Sequence, residues 1–384
     1  MRILVSAGEA SGEMYGAQLI EALRRALKPA AIDFFGVGGE RMRAAGCDLV
    51  VDARDLAVVG ITEIVSHLPK IWQRFQRLTS EARRRRPDLA VVIDSPAFNW
   101  RVARQMKKNG VPVVYYVCPQ FWAWRQGRVR LLRRYVDLAL VIFPFEEEFY
   151  SRRGVRTEFV GHPLADLPRP TVSRADYGKE HGLDPAKDWI TLMPGSRVKE
   201  VAMNLPGMIE STSLLGEAFE FVLPVAPTLD NKLIGHLIAQ GGGESRQRIH
   251  LVRETLPALA HARAGIIASG TATVEAAVMG TPFVMVYRVT PLTYWLGRYT
   301  VKVPYFAMVN LIAGERVVPE LVQQHFTAEK VVGELTKVIP DGSAREAMLE
   351  GLRRVKGRLH RDQRSELAPA GRAAHAIAEL IGRR

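Results

Sequence analysis

Two cysteines in 384 residues, Cys47 and Cys118, are too few for a disulfide framework and suit a reducing compartment. No run approaches the ~18 consecutive apolar residues of a membrane-spanning helix. There is no Asp-x-Asp pair, no His/Cys group at metal-ligand spacing and no phosphate-binding loop of the G-x-x-x-x-G-K-[ST] kind. ATP hydrolysis is therefore not expected, and neither is a bound metal or cofactor. Solenoid repeats and low-complexity tracts are missing as well. Met1-Arg2-Ile3-Leu4-Val5 leads straight into Ser6-Ala7-Gly8, which reads as a first strand rather than a signal peptide, and the expected compartment is the cytoplasm.

Acidic residues are also in short supply. Lys and Arg number 53 against 40 Asp and Glu, a net charge of +13. Such an excess favours anionic partners: nucleic acid, phosphorylated metabolites or an acidic membrane surface. It is concentrated in Arg83–Arg86 and in residues 101–134. No nucleic-acid-binding module accompanies it, so nucleic acid is not an expected partner.

What the chain does have is alternation. In residues 1–163 the apolar runs Ile3–Ser6, Phe34–Val37, Leu89–Ile93, Val113–Val117, Leu138–Phe143 and Phe159–Val160 are separated by helical segments such as Tyr15–Leu27 and Trp100–Lys108. A second series comprises Ile190–Met193, Phe221–Val225, Ile249–Val252, Ala264–Ala268 and Phe283–Val286. Continuous apolar strands alternating with helices predict parallel sheets covered on both faces. The expected architecture is α/β: two doubly wound, Rossmann-like domains facing across a cleft, over residues 1–165 and 185–330. A polar linker at 165–187 joins them, and a set of C-terminal helices covers 331–384.

Ligands of such sheets bind at the carboxyl ends of the strands. Ser269-Gly270-Thr271 follows Ala264–Ala268 and opens a helical segment, which makes a phosphate seat from free N–H groups and the helix dipole. Glu275, about one turn in, is placed to take both hydroxyls of a ribose. The same pattern also describes an ordinary strand-to-helix turn with Ser269 or Thr271 as its cap. Pro194-Gly195-Ser196-Arg197 ends the first strand of the second series and offers main-chain donors plus a guanidinium fork. If those two strands are neighbours, both turns serve one diphosphate, with Arg197 and a helix terminus meeting its charge.

Three stretches stand at strand ends of the first series. Gly8–Glu13 is a glycine-containing loop in which Ser11 is placed to cap the following helix, with Gly12 allowing close approach. Asp94-Ser95-Pro96-Ala97-Phe98-Asn99 offers Asp94 either as a base or as a brace for its own turn. Cys118–Arg125 carries Trp122, Trp124 and Arg125, either a stacking wall or a helix start anchored by core aromatics. Farther back, Ile61, Ile64, Val65, Leu68, Ile71, Trp72, Phe75 and Leu78 recur at helical spacing among basic residues. That stripe fits a headgroup layer, with Ile64, Leu68, Ile71, Trp72 and Phe75 facing the membrane, or else a core-facing helix with a wet basic side. Pro69 is expected to kink or split it.

Taken together, Ser6–Glu13, Phe121–Arg125, Pro194–Arg197, Ser269–Glu275 and Asn310-Leu311-Ile312-Ala313-Gly314 resemble the lipid-A-disaccharide synthases, in the family's order and across nearly the whole chain. The resemblance implies an inverting glycosyltransferase of the GT-B type without a cofactor. Its donor is UDP-2,3-diacylglucosamine and its acceptor 2,3-diacylglucosamine 1-phosphate. The products are a β-1,6-linked disaccharide and UDP, formed peripherally at the cytoplasmic face of the inner membrane in Gram-negative lipid A synthesis. Carried over by motif, Arg197, Glu275, Asn310 and Gln323 contact UDP, with Ser269, Gly270 and Thr271 around the diphosphate. Ser11, Gly12, Asn99, Trp124 and Arg125 line the sugar side. The family usually has Asp where this chain has Ala97, which removes its favoured base and leaves Asp94 and Glu13 as candidates. Two rival readings are a UDP-N-acetylglucosamine 2-epimerase-like enzyme and a non-catalytic protein that binds UDP-sugars or anionic lipid.

Overall fold

Seven strands form the first sheet: β1 Arg2–Ala7, β2 Asp33–Gly38, β3 Cys47–Asp52, β4 Leu89–Ile93, β5 Val113–Tyr116, β6 Leu138–Val141 and β7 Thr157–Phe159. Six form the second: β8 Asp188–Met193, β9 Phe219–Pro224, β10 Ile249–Val252, β11 Ala264–Ala268, β12 Phe283–Tyr287 and β13 Glu320–Val322. The strand orders are β3-β2-β1-β4-β5-β6-β7 and β10-β9-β8-β11-β12-β13. Every pairing is parallel. The structure is a computed structural model describing residues 1–56, 61–241, 243–301, 303–361 and 367–382; the side chains of 10, 61–68, 243–245, 292, 296 and 298–300 also lie outside the description.

The central strands are apolar end to end because helices cover both faces. All residues of β4 and β11 are buried, and each Ile or Val there contributes about 1.5–3 kcal/mol by leaving water. In each sheet the order reverses at one point, between β1 and β4 and between β8 and β11. The turns leaving those strands are therefore neighbours at the carboxyl edge.

One compact unit comprises Met1–Pro163 with Leu359–Arg384, the other Leu164–Arg358. The tail 331–384 is thus not one block. Helices Ala328–Val338 and Ser343–Leu359 fall essentially in the second unit, whereas Pro369–Gly382 belongs to the first, where it packs on the helix Ala10–Ala26. Residues 165–187 are not merely a linker either. They hold the helix Arg174–His181, capped by Ser173 through Asp176 N at 3.1 Å and closed by Gly182 in the left-handed region. The helix Ile61–Arg85 runs on through Pro69 without splitting.

Candidate active site

In the second unit, β8 and β11 are in register at Ile267 and Met193. The turns 194–197 and 269–271 accordingly leave the sheet side by side. Gly195 has φ +119, and a Cβ there would come within 2.8 Å of Glu200, so only glycine lets this turn fold against that carboxylate. Glu200 accepts Ser196 N–H at 3.3 Å and pairs with Arg197 at 3.1 Å. The Arg197 side chain is 75% exposed, and so exposed a pair holds it by well under about 1 kcal/mol. A phosphate can take the guanidinium over at little cost.

Beside it, Thr271 rather than Ser269 holds the N-cap position of the helix Ala272–Met279, and its side chain makes no cap bond. The Ser269 hydroxyl donates instead to Phe306 O at 2.8 Å. No acceptor among the described residues takes the N–H groups of Gly270, Thr271 or Ala272. Three open donors at a helix start, next to a loosely held arginine, make an anion seat.

Glu275, one turn in, is half-buried, and no hydrogen bond to its carboxylate is found among the described residues. Burial pushes it up to about 7. Its unfolded value is near 4.5, so the unfolded chain releases this proton first and the fold loses stability as pH rises from there toward 7. Glu275→Gln is expected to be the more stable form by about 1–2 kcal/mol at a pH near 8 and equal to wild type at a pH near 4.5. Urea midpoints at the two pH values test this; a constant difference would mean that the burial of the charge is not its cause.

Asn310 and Gln323 make their hydrogen bonds within the protein. Asn310 is fully buried. Its Oδ1 accepts Val317 N and Val318 N at 2.8 and 2.9 Å, and its Nδ2 donates to Val318 O at 2.9 Å and Glu320 Oε1 at 2.8 Å. Gln323 pairs through its amide with both main-chain groups of Val289, each at 3.1 Å. Both side chains brace loops. Glu320, which no local pattern marks, is their companion: it takes Phe306 N–H at 3.0 Å and Ala307 N–H at 2.9 Å.

In the first unit, the stretch expected as a loop at Gly8–Glu13 is helical from Ala10. Ser11 therefore lies inside that helix and caps nothing, and Gly12 lets its first turn pass close to Ala7 and Ile93. Glu13 accepts Arg41 N–H at 2.7 Å, capping the short helix Glu40–Ala44, and a Cβ on Gly39 would meet its carboxylate. Asn99 is fully buried; Ser6 Oγ donates to its Oδ1 at 2.6 Å, and its Nδ2 reaches Ser6 O, Ile93 O and Asp94 O at 3.0, 2.7 and 2.9 Å. It too is a brace, tying the end of β1 to the turn after β4. That turn carries Asp94 at φ 47 and Ser95 at φ 45, and Tyr115 donates its hydroxyl to Asp94 O at 2.9 Å. Two consecutive non-glycine residues in the left-handed region are a costly conformation, kept here by surrounding bonds.

The aromatic stretch divides in two. Trp122 is buried and donates its indole N–H to Glu146 at 2.8 Å, while Trp124 is 43% exposed with the Arg125 guanidinium 4.4 Å from its ring centroid. Glu146 is itself buried, accepts Phe143 N–H at 3.1 Å, and is raised to about 7 by burial. Trp124 and Arg125 face outward, as does Gln120. On the helix Ile61–Arg85, Phe75 turns inward onto Phe98, with ring centroids 6.2 Å apart, so it does not face a membrane. Ile71 is half-buried and Trp72 is 53% exposed, whereas the side chains of Ile64 and Leu68 lie outside the described residues. No helix among the described residues is long and apolar enough to cross a membrane, and no cluster of His, Cys, Asp and Glu among them is arranged to hold a metal.

Two doubly wound parallel sheets, one ending in adjacent donor-rich turns, are the build of the two-domain nucleotide-sugar enzymes. Solved structures agree on the fold. The calicheamicin glycosyltransferase CalG4 aligns with TM-score 0.59 at 16% identity, covering 100% of this chain and 98% of its own. The UDP-GlcNAc 2-epimerase of Neisseria meningitidis, bound to UDP-GlcNAc, aligns with TM-score 0.60 at 14% identity, covering 100% of both. Sequence is far more selective. The family model described as lipid-A-disaccharide synthetase matches residues 3–370, and the lipid-A-disaccharide synthase of Koribacter versatilis is 51% identical over 385 residues, 100% of each chain. The chain belongs to the lipid-A-disaccharide synthase family of glycosyltransferases, and the epimerases are distant relatives in fold.

Proposed function

We propose that this enzyme transfers 2,3-diacylglucosamine from its UDP carrier to 2,3-diacylglucosamine 1-phosphate at an anionic membrane surface on the cytoplasmic side. The observation that carries the reading is the adjacency of the two turns after β8 and β11, with open N–H groups and Arg197 beside an uncommitted Glu275. UDP fits this chemistry: the diphosphate lies on the N–H groups of 270–272 and on Arg197, and the ribose hydroxyls donate to Glu275. The acceptor hydroxyl attacks the anomeric carbon, the bond to the diphosphate oxygen breaks, and the electron pair leaves with UDP. Arg197 and the helix start meet that charge, and in-line attack inverts an α-linked donor. The hydroxyl proton goes to a carboxylate. Glu13 already caps a helix, which leaves Asp94.

The test is incubation with both diacyl substrates in a chelator, assayed for disaccharide and UDP. Binding without UDP release, or epimerisation of UDP-N-acetylglucosamine, overturns the reading. Arg197→Ala is expected to weaken UDP about tenfold while leaving the fold intact, since a charge-assisted bond to phosphate is worth about 1.5–3 kcal/mol. Heat protection by UDP, with and without magnesium, measures it.

A further inference from the structure

The segment between β12 and the helix Met308–Ala313 contains a second helix, Pro291–Thr300, for which the reaction chemistry above has no use. It is tethered at both ends to the nucleotide side of the second unit. At its start the Gln323 amide brackets Val289. At its end Phe306 O accepts from Ser269 in the diphosphate turn, and Phe306 N–H is held by Glu320.

Between those anchors the segment turns apolar groups outward. Trp295 is 60% exposed, Val301 37% and Phe306 39%. In the sequence, Leu292, Trp295, Leu296 and Tyr299 recur at helical spacing. The chain carries no Asp or Glu between Glu275 and Glu315, while Arg298 and Lys302 follow Trp295 closely. A tryptophan-bearing, carboxylate-free helix flanked by cations is complementary to the headgroup layer of an anionic bilayer. A water-facing helix would normally carry acidic residues, and a docking site for a basic or neutral protein would not exclude them.

We propose that Pro291–Val301 is a membrane-contacting element of the nucleotide-binding unit, seating in an anionic lipid surface beside the diphosphate turn. The lipid nature of the substrates assumed under the proposed function makes this placement useful: a donor leaving the bilayer would enter its seat next to the element that touches lipid.

The experiment uses the full chain. Cys47 and Cys118 are both buried, so Trp295→Cys offers a selective site for an environment-sensitive fluorophore. Vesicles of phosphatidylcholine containing about one part in five phosphatidylglycerol are expected to blue-shift and brighten the label, less so at high salt, and pure phosphatidylcholine to do so weakly. Trp295→Ser with Val301→Ser is expected to cut the vesicle-bound fraction about fivefold. UDP protection against heating serves as the control for the fold and stays unchanged. No spectral response together with undiminished sedimentation overturns the proposal, as does a response that depends on protein concentration alone and so reports a second copy. UDP protection and disaccharide formation are read separately, so loss of either strikes the proposed reaction and not this surface.

Discussion

Asp94→Asn is expected to lower kcat by about a hundredfold or more while leaving UDP affinity and the melting temperature close to wild type, because a positioned base supplies about 10²–10⁴ of rate. The substitution separates chemistry from structure unusually well. Asp94 sits at φ 47, a conformation that Asn adopts as readily as Asp, and bonds to its main chain that survive the substitution help hold the turn: N–H to Tyr116 O at 3.1 Å, and O from Tyr115 and Asn99 at 2.9 Å each. Position 97, the alternative place for a base, bears an exposed alanine in the first turn of the helix Pro96–Lys108. Restoring a carboxylate there by Ala97→Asp in the Asp94→Asn background is expected to recover part of the rate. Single-turnover UDP release against pH measures both. An Asp94→Asn enzyme with wild-type turnover removes Asp94 from the proton path.

The second large effect belongs to Asn310→Ala, expected to cost about 3 kcal/mol of stability together with UDP affinity. Truncation strands Val318 N–H and Val318 O in a buried site, leaves Val317 N–H with only its longer bond to Glu315 O at 3.2 Å, and takes one partner from Glu320. Glu320 holds Phe306, and Phe306 holds Ser269 of the turn 269–271, so the loss travels to the proposed diphosphate seat. Denaturant midpoints and UDP titration on one preparation decide the matter. Weakened UDP binding with unchanged stability would mean that Asn310 touches the nucleotide directly and is no brace.

Asn310 also shows where sequence reading stops. A motif marks a residue as belonging to a site, but an amide looks the same whether it faces a ligand or the protein's own main chain. Asn99, Asn310 and Gln323 all proved to face main chain. The strands were legible where burial is complete, as in β4 and β11, because a fully covered strand is an unbroken apolar run. β3 and β13 escaped notice because each lies at a sheet edge and carries polar residues, Asp48 and Asp52 in one and Glu320 in the other. The turns after β8 and β11 were legible as turns from their small residues, and the sheet order supplied their adjacency. Glu146 and Glu200 were overlooked although a local signal existed: each stands three residues beyond a helix N-cap, Phe143 and Arg197, where a carboxylate reaches back to main-chain N–H groups.

The first unit is assembled from two separated stretches of the chain, which leaves it at Pro163 and re-enters at Leu359, where His162 N–H bonds Leu359 O at 2.9 Å. During translation its sheet emerges well before the helix Pro369–Gly382 that covers Ala10–Ala26. Until then the nascent protein exposes an apolar helix face that this much later segment must conceal. The sheet of the first unit therefore waits through the synthesis of the whole second unit for the helix that covers it, and deleting residues 369–382 would injure a unit whose strands lie within residues 2–159.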